Sequence, residues 1–180
     1  MKNHIIISLL FLSVGLSQQE YNINDLIKMD NGLWTEKFSD EPISGKVYEY
    51  FREESNPKKV YMGNMVNGKK EEEWKSYYSN GIKKYNYNFK DGESDGLQTD
   101  WYENGRKKFE SSWKGGQPHG SSTQWYENGI KNLEYFWIEG ERDGVWTIWY
   151  ENGQKEYEET YKDGESISEK RWNKDGSVDE

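Results

Sequence analysis

Apolar and glycine positions recur along this chain at one fixed interval. Gly68, Gly92, Gly116, Gly140 and Gly164 stand 24 residues apart, as do Gly81, Gly105, Gly129 and Gly153, and Gly96, Gly120 and Gly144. Tyr77, Trp101, Trp125 and Trp149 form a column of the same spacing, and Tyr78, Tyr102, Tyr126 and Tyr150 form the next. Two further columns, Tyr61, Tyr85, Phe109, Leu133, Tyr157 and Met65, Phe89, Trp113, Trp137, Tyr161, are apolar throughout. A period of this size marks tandem supersecondary units that stack on one another instead of closing round a single core.

Within a repeat the pattern is β. Gly96 to Tyr102 and Arg106 to Trp113 are short segments in which aromatic and polar residues alternate, joined by Glu103-Asn104-Gly105. The joint recurs as Glu127-Asn128-Gly129 and Glu151-Asn152-Gly153, with glycine where a left-handed conformation is needed. The predicted fold is therefore all-β: an elongated, twisted, single-layer antiparallel sheet of tandem 24-residue hairpins. A three-residue loop predicts Trp101 opposite Lys107 and on one face with Leu97, Phe109 and Trp113, leaving Tyr102, Glu110 and Ser112 on the other. A two-residue loop would instead group Trp101 with Lys108 and Glu110. Carried through the repeats, the first register puts Trp101, Trp113, Trp125, Trp137, Trp149 and Tyr161 on one face, as candidate partner-binding residues, and Tyr102, Tyr126 and Tyr150 on the other. Lys83, Lys107, Lys131 and Lys155 then sit beside the aromatic residue of each tip, in cation–π reach.

The ends depart from the pattern. Lys2, the apolar run Ile5 to Leu12 and small residues up to Ser17 read as a secretory signal peptide over residues 1–17, since the run is shorter than the ~20 residues that span a bilayer. Residues 18–44, with Ile23, Leu26, Ile27, Leu33 and Trp34, read as an N-terminal capping segment, 45–164 as the hairpin repeats and 165–180 as a C-terminal capping repeat. The turn around Arg52 to Pro57 carries three extra residues, and a one-residue deletion falls between Gly164 and Trp172.

Composition narrows the function. The formal net charge is -9, and loss of Lys2 with the leader would make it more negative still. The basic footprint that releases counterions from nucleic acid is missing, as is the polybasic cluster that attracts acidic lipid, so neither is expected as a partner. With no cysteine there are no disulfides and no thiol chemistry. The low apolar content is offset by 9 Trp, 14 Tyr and 6 Phe, which at fixed spacing is unlike a disordered composition. His119, in the loop Gly115 to Gly120, is the one histidine beyond the leader and lacks the positioned partner that catalysis needs. The carboxylate pairs Asp91/Asp95 and Glu141/Asp143 flank glycine in the loops between hairpins and lack the six or more oxygen ligands of a calcium site. No catalytic residue, cofactor or metal is expected.

Trp-Tyr-Glu-Asn-Gly followed by basic residues, then an aromatic residue, Lys-Asp-Gly and a closing glycine resembles the MORN-variant repeat, particularly bacterial proteins of the YwqK antitoxin-like group. The opening Asp30-Asn31-Gly32-Leu33-Trp34 with Glu41-Pro42-Ile43-Ser44-Gly45-Lys46-Val47 is also similar to that group. The resemblance covers about Asn31 to Gly176 and departs from the pattern at Glu72, where the glycine column predicts Gly. It implies successive hairpins and a binding role. The combined expectation is a non-enzymatic, secreted or periplasmic scaffold that binds another protein, of antitoxin or immunity type. Carbohydrate or cell-wall binding is the alternative, because exposed aromatic rings suit sugar faces, and a purely structural spacer is a third reading.

Overall fold

The computed structural model of the protein describes residues 19–51 and 57–179. The expected leader and most of the enlarged turn around Arg52 lie outside the described residues. The chain runs β1 (Glu20–Asn22), a 3-10 turn (Ile23–Asp25), β2 (Leu26–Lys28), β3 (Trp34–Glu36), β4 (Gly45–Phe51) and β5 (Lys58–Val66). The hairpins follow as β6 (Lys69–Tyr77) with β7 (Lys83–Lys90), β8 (Glu93–Trp101) with β9 (Lys107–Lys114), and β10 (Gln117–Trp125) with β11 (Lys131–Ile138). β12 (Glu141–Trp149), β13 (Lys155–Lys162) and β14 (Glu165–Arg171) complete the array. Twelve strands form one open sheet in the order β1, then β4 through β14, antiparallel except that β1 runs parallel to β4. β2 and β3 make a separate two-stranded ribbon.

Two kinds of turn alternate along the sheet. At one rim the Glu-Asn-Gly loops have the predicted three-residue form: Gly105 N–H donates to Tyr102 C=O at 2.9 Å, and Tyr102 N–H to Arg106 C=O at 2.9 Å. At the other rim the loops have two residues, both left-handed: Asp91 and Gly92 at φ 52° and 84°, Asp163 and Gly164 at 50° and 80°. This mirror-image turn follows the natural strand twist, and Asp-Gly is its favoured sequence.

Two bulges per repeat change which side chains share a face. Beyond the tip loop Trp101 pairs with Lys107, as predicted, but Asp100 pairs with Phe109, so Lys108 is extra. Near the opposite rim Trp113 pairs with Pro118 while Ser111 pairs with Ser122, which leaves two surplus residues on β10 around Gly120. Because facing residues share a side and neighbours alternate, Phe109, Ser111 and Trp113 lie on one face, here called the ring face, and Trp101 lies on the other. The predicted single face is thereby corrected. Trp113, Trp137 and Tyr161 are on the ring face; Trp101, Trp125, Trp149 and also Leu97 are on the opposite face. At β14 the bulge keeps only one surplus residue, since Tyr161 pairs with Ser166 and Thr160 with Ser168. That is where the one-residue deletion falls.

Big and small side chains alternate across the ring face. Ser111 and Ser122 are each 2% exposed, lying among rings such as Tyr135, opposite Ser122, and Trp113, whose Nε1 donates to Ser111 Oγ at 2.7 Å. The main apolar core sits at the N-terminal end, where Tyr21, Leu26, Ile43, Val47, Met62, Met65 and Trp74 pack together. β5 stays with β6 only over Asn64 to Val66 and then leaves it. Gly63 lies against the Trp74 ring, where a Cβ would come within 2.5 Å of it.

Glu72 occupies the glycine column and adopts φ 58°, positive like Gly96, Gly120 and Gly144 at 97°, 98° and 71°. A side chain there costs roughly 1–2 kcal/mol, offset by part of the chain entropy that glycine loses on folding. Glu72→Gly is therefore expected to raise the stability of the array by roughly 0.5–1 kcal/mol, read as a higher urea midpoint with an unchanged slope.

Candidate binding surface

The tip rim is laced from hairpin to hairpin. Tyr78, Tyr102 and Tyr126 each donate their phenol O–H to the backbone carbonyl of the next tryptophan in the series, Trp101, Trp125 and Trp149, at 2.7, 2.7 and 2.8 Å. Burial pushes all three phenols above their ordinary pKa. Asn104 Oδ1 accepts from Arg106 N–H within its own loop while its Nδ2 donates to Glu127 C=O of the next, and Asn128 does the same towards Ile130 and Glu151. The other rim is laced by backbone, with Gly92, Gly116, Gly140 and Gly164 donating to the carbonyls of Lys70, Ser94, Pro118 and Arg142, and by the side chains of Glu71, Asp95 and His119, which accept from the N–H groups of Asp91, Gly115 and Glu139. A repeat is therefore held by its neighbours on both sides, as a stacked array requires.

Trp101, Trp125 and Trp149 belong to this lacing on the opposite face. Each takes a lysine from the preceding hairpin over its ring: Lys83, Lys107 and Lys131, with Nζ 5.6, 5.7 and 5.7 Å from the centroid. Lys155 continues the series over Trp172 at 5.5 Å. Lys107, Lys131 and Lys155 also pair with Glu110, Glu134 and Glu158. The lysine column thus meets an aromatic ring as the spacing predicts, but the ring of the next hairpin.

The ring face carries a different cluster towards its C-terminal end. Tyr135 and Trp146 lie 4.6 Å apart between centroids, Trp137 and Trp146 5.5 Å in an edge-to-face arrangement, and Trp146 and Tyr161 5.4 Å. Arg142 lays its guanidinium 4.2 Å from the Trp146 centroid and donates from one Nη to Tyr161 Oη at 2.7 Å. Trp146 Nε1 is buried and has no acceptor among the described residues. Of the six residues expected to bind a partner, only Trp137 and Tyr161 enter this cluster. Trp113 stands apart on the same face, and Trp101, Trp125 and Trp149 are on the other side. Tyr135, Arg142 and Trp146 escape a reading by columns, because the positions matching Trp146 in the two preceding repeats are Gln98 and Ser122. The signal for Arg142 and Trp146 is a recurrence three repeats earlier, at Lys70 and Trp74, and that for Tyr135 is Tyr87, two repeats earlier.

Groups suited to chemistry are spread apart. His119 lines a shallow recess of about 330 Å³ with Lys114, Gln117 and Glu139, where its Nδ1 accepts the backbone N–H of Glu139 at 3.3 Å. No group of three or more metal-ligating side chains occurs among the described residues. His119→Ala is expected to leave partner binding within about twofold of wild type, measured on the purified chain.

Comparison with known proteins matches one segment, and the search of curated proteins found no match. Residues 142–163, which are nearly all of β12, the Glu151-Asn152-Gly153 tip and β13, match the family model described as MORN repeat variant. The glycine and aromatic columns carry the same spacing back through the preceding hairpins, so the matched segment is one of several similar β-hairpin repeats.

Proposed function

We propose that this chain is a non-enzymatic scaffold that binds another protein through the ring face around Tyr135, Trp137, Trp146 and Tyr161. The observation that carries the reading is a cluster of four aromatic rings and the exposed Arg142 on the ring face of the open sheet. Trp, Tyr and Arg are the residues in which interface energy concentrates, and contiguous apolar surface of this kind marks interaction sites. The resemblance to the YwqK antitoxin-like group makes an immunity-type partner the first class to test. The leader-like Ile5 to Leu12 run supports a secreted or periplasmic mature product beginning near Gln18. N-terminal sequencing of the exported product checks the second point, and intact Met1 on a cytosolic protein would overturn it.

The binding reading is tested by capturing partners on the immobilised chain and identifying the contact residues by cross-linking. Trp137→Ala is expected to weaken a captured protein at least tenfold while Trp125→Ala, on the opposite face, leaves it within about threefold, with thermal melts run on both variants. Equal losses, or loss only with Trp125→Ala, would overturn the assignment. Carbohydrate binding is the second reading, favoured by the exposed ring of Tyr61 beside Lys46, Asn64 and Glu72 in a recess lined by β4, β5 and β6. A glycan array distinguishes it.

A further inference from the structure

The first and fourth hairpins of the repeat sheet carry the same device. Lys70, Trp74 and Phe89 in one are matched position for position, three repeats on, by Arg142, Trp146 and Tyr161, whereas the repeats between have Ser94, Gln98, Trp113 and Pro118, Ser122, Trp137. The geometry repeats as well. Lys70 Nζ stands 4.5 Å from the Trp74 centroid and 5.0 Å from that of Phe89; the Arg142 guanidinium stands 4.2 Å from Trp146 and 5.1 Å from Tyr161.

The two copies differ in what lies over them. At the first, the β2–β3 ribbon brings Trp34 to 6.0 Å from Lys70 Nζ, and the chain locks on through Trp34 N–H to Gly68 C=O at 2.8 Å and Gly68 N–H to Ile43 C=O at 2.7 Å. Trp74 is 1% exposed there, and its Nε1 donates to Asn64 C=O at 3.1 Å. Burial, with Lys28 nearby, lowers the Lys70 ammonium pKa. At the fourth hairpin Arg142 is exposed, Trp146 is half-buried and the Trp146 indole N–H has no acceptor among the described residues. The molecule thus shows, at its own N-terminal end, what kind of element covers this surface.

Resting on the protein-binding reading above, we infer that the Arg142, Trp146 and Tyr161 seat binds a β-hairpin of a partner protein, which lays an aromatic ring over Arg142 as β3 lays Trp34 over Lys70. The cationic group favours the face of a ring, and Arg142 is exposed where Lys70 meets the ring of Trp34. In this chain the ribbon is already engaged over its own Lys70, so the occupant is assigned to a different protein.

The test uses the full chain and a cyclic peptide of Leu26 to Glu36, closed by a linker that imposes the hairpin. Titration followed by the indole N–H resonances should be saturable, shift Trp146 and leave Trp74 in place. The double variant Arg142→Ser, Trp146→Gln installs the residues of Ser94 and Gln98, which neighbouring repeats already accommodate, and should weaken the peptide at least tenfold. A peptide carrying Trp34→Ala should weaken likewise on the unaltered chain, a comparison that does not depend on how the variant folds. Absence of binding, binding equal for the double variant, or binding indifferent to Trp34→Ala would each overturn the inference. So would a dimer in sedimentation that the double variant dissolves, since the occupant would then be a second copy. The wider protein-binding reading is judged separately, by whether Trp137→Ala releases a captured partner.

Discussion

Trp74→Ala is expected to lower the stability of the protein by about 3–5 kcal/mol, the usual cost of emptying a buried aromatic site. The indole is almost wholly buried between Gly63 and the N-terminal core, and it supports the Lys70 ammonium. Its loss would leave a void where β5 parts from β6, and it would remove the Nε1 hydrogen bond to Asn64 C=O. Urea unfolding followed by tryptophan fluorescence reads the loss. Gly63→Ala approaches the same place from the other side, because the added methyl would press into the ring; overpacking typically costs about 1–3 kcal/mol. A Trp74→Ala protein less than about 1 kcal/mol from wild type would show that the N-terminal body is held by something other than this contact.

The second large effect is expected at the tip rim. Tyr126→Phe combined with Asn128→Ala removes three hydrogen bonds: Tyr126 Oη to Trp149 C=O, Asn128 Nδ2 to Glu151 C=O, and Ile130 N–H to Asn128 Oδ1. At about 0.5–1.5 kcal/mol each, the loss should total roughly 2–4 kcal/mol. Two of the three bonds join successive hairpins, so amide exchange should quicken in the Glu151 to Gly153 tip as well as in the altered loop. Glu127→Ala, whose carboxylate takes no part in the lacing, serves as the control and should stay within about 0.5 kcal/mol. Confinement of faster exchange to residues 126–130 would mean that the tips are independent of one another.

Much of this architecture is legible in the sequence because it is written several times. The period, the hairpins, the Glu-Asn-Gly loop and the meeting of Lys107 with an aromatic ring all follow from columns that repeat. The ring face does not, for a physical reason: alternation is carried along a strand only until a bulge, and each repeat has two. Lys108 adds one residue opposite Trp101, which places Phe109 and Trp113 across the sheet from it. Nothing local marks Lys108 as surplus, whereas Gly120 at least betrays a backbone that needs a left-handed residue. Tyr135, Arg142 and Trp146 were hidden for another reason. Their columns alternate bulk with Ser and Gln so that rings fill the space over small neighbours, and a search for uniform columns passes over them. The parallel pairing of β1 with β4 joins residues far apart in sequence, from Glu20 to Lys46, and leaves no short-range signature.

The array is also a ruler. From β6, which bears Trp74, to β12, which bears Trp146, there are six strand steps. At about 4.8 Å per strand these place the two seats roughly 29 Å apart, and at about 20–25° of twist per strand they turn one relative to the other by roughly 120–150°. A ligand at Arg142 would thus approach from a direction well away from the N-terminal body, although both seats belong to one continuous face. Since each repeat contributes two strands, excising one would shorten the span by about 10 Å and rotate the seat by roughly 40–50°. Repeat number sets both reach and bearing, in steps that no single substitution can reproduce.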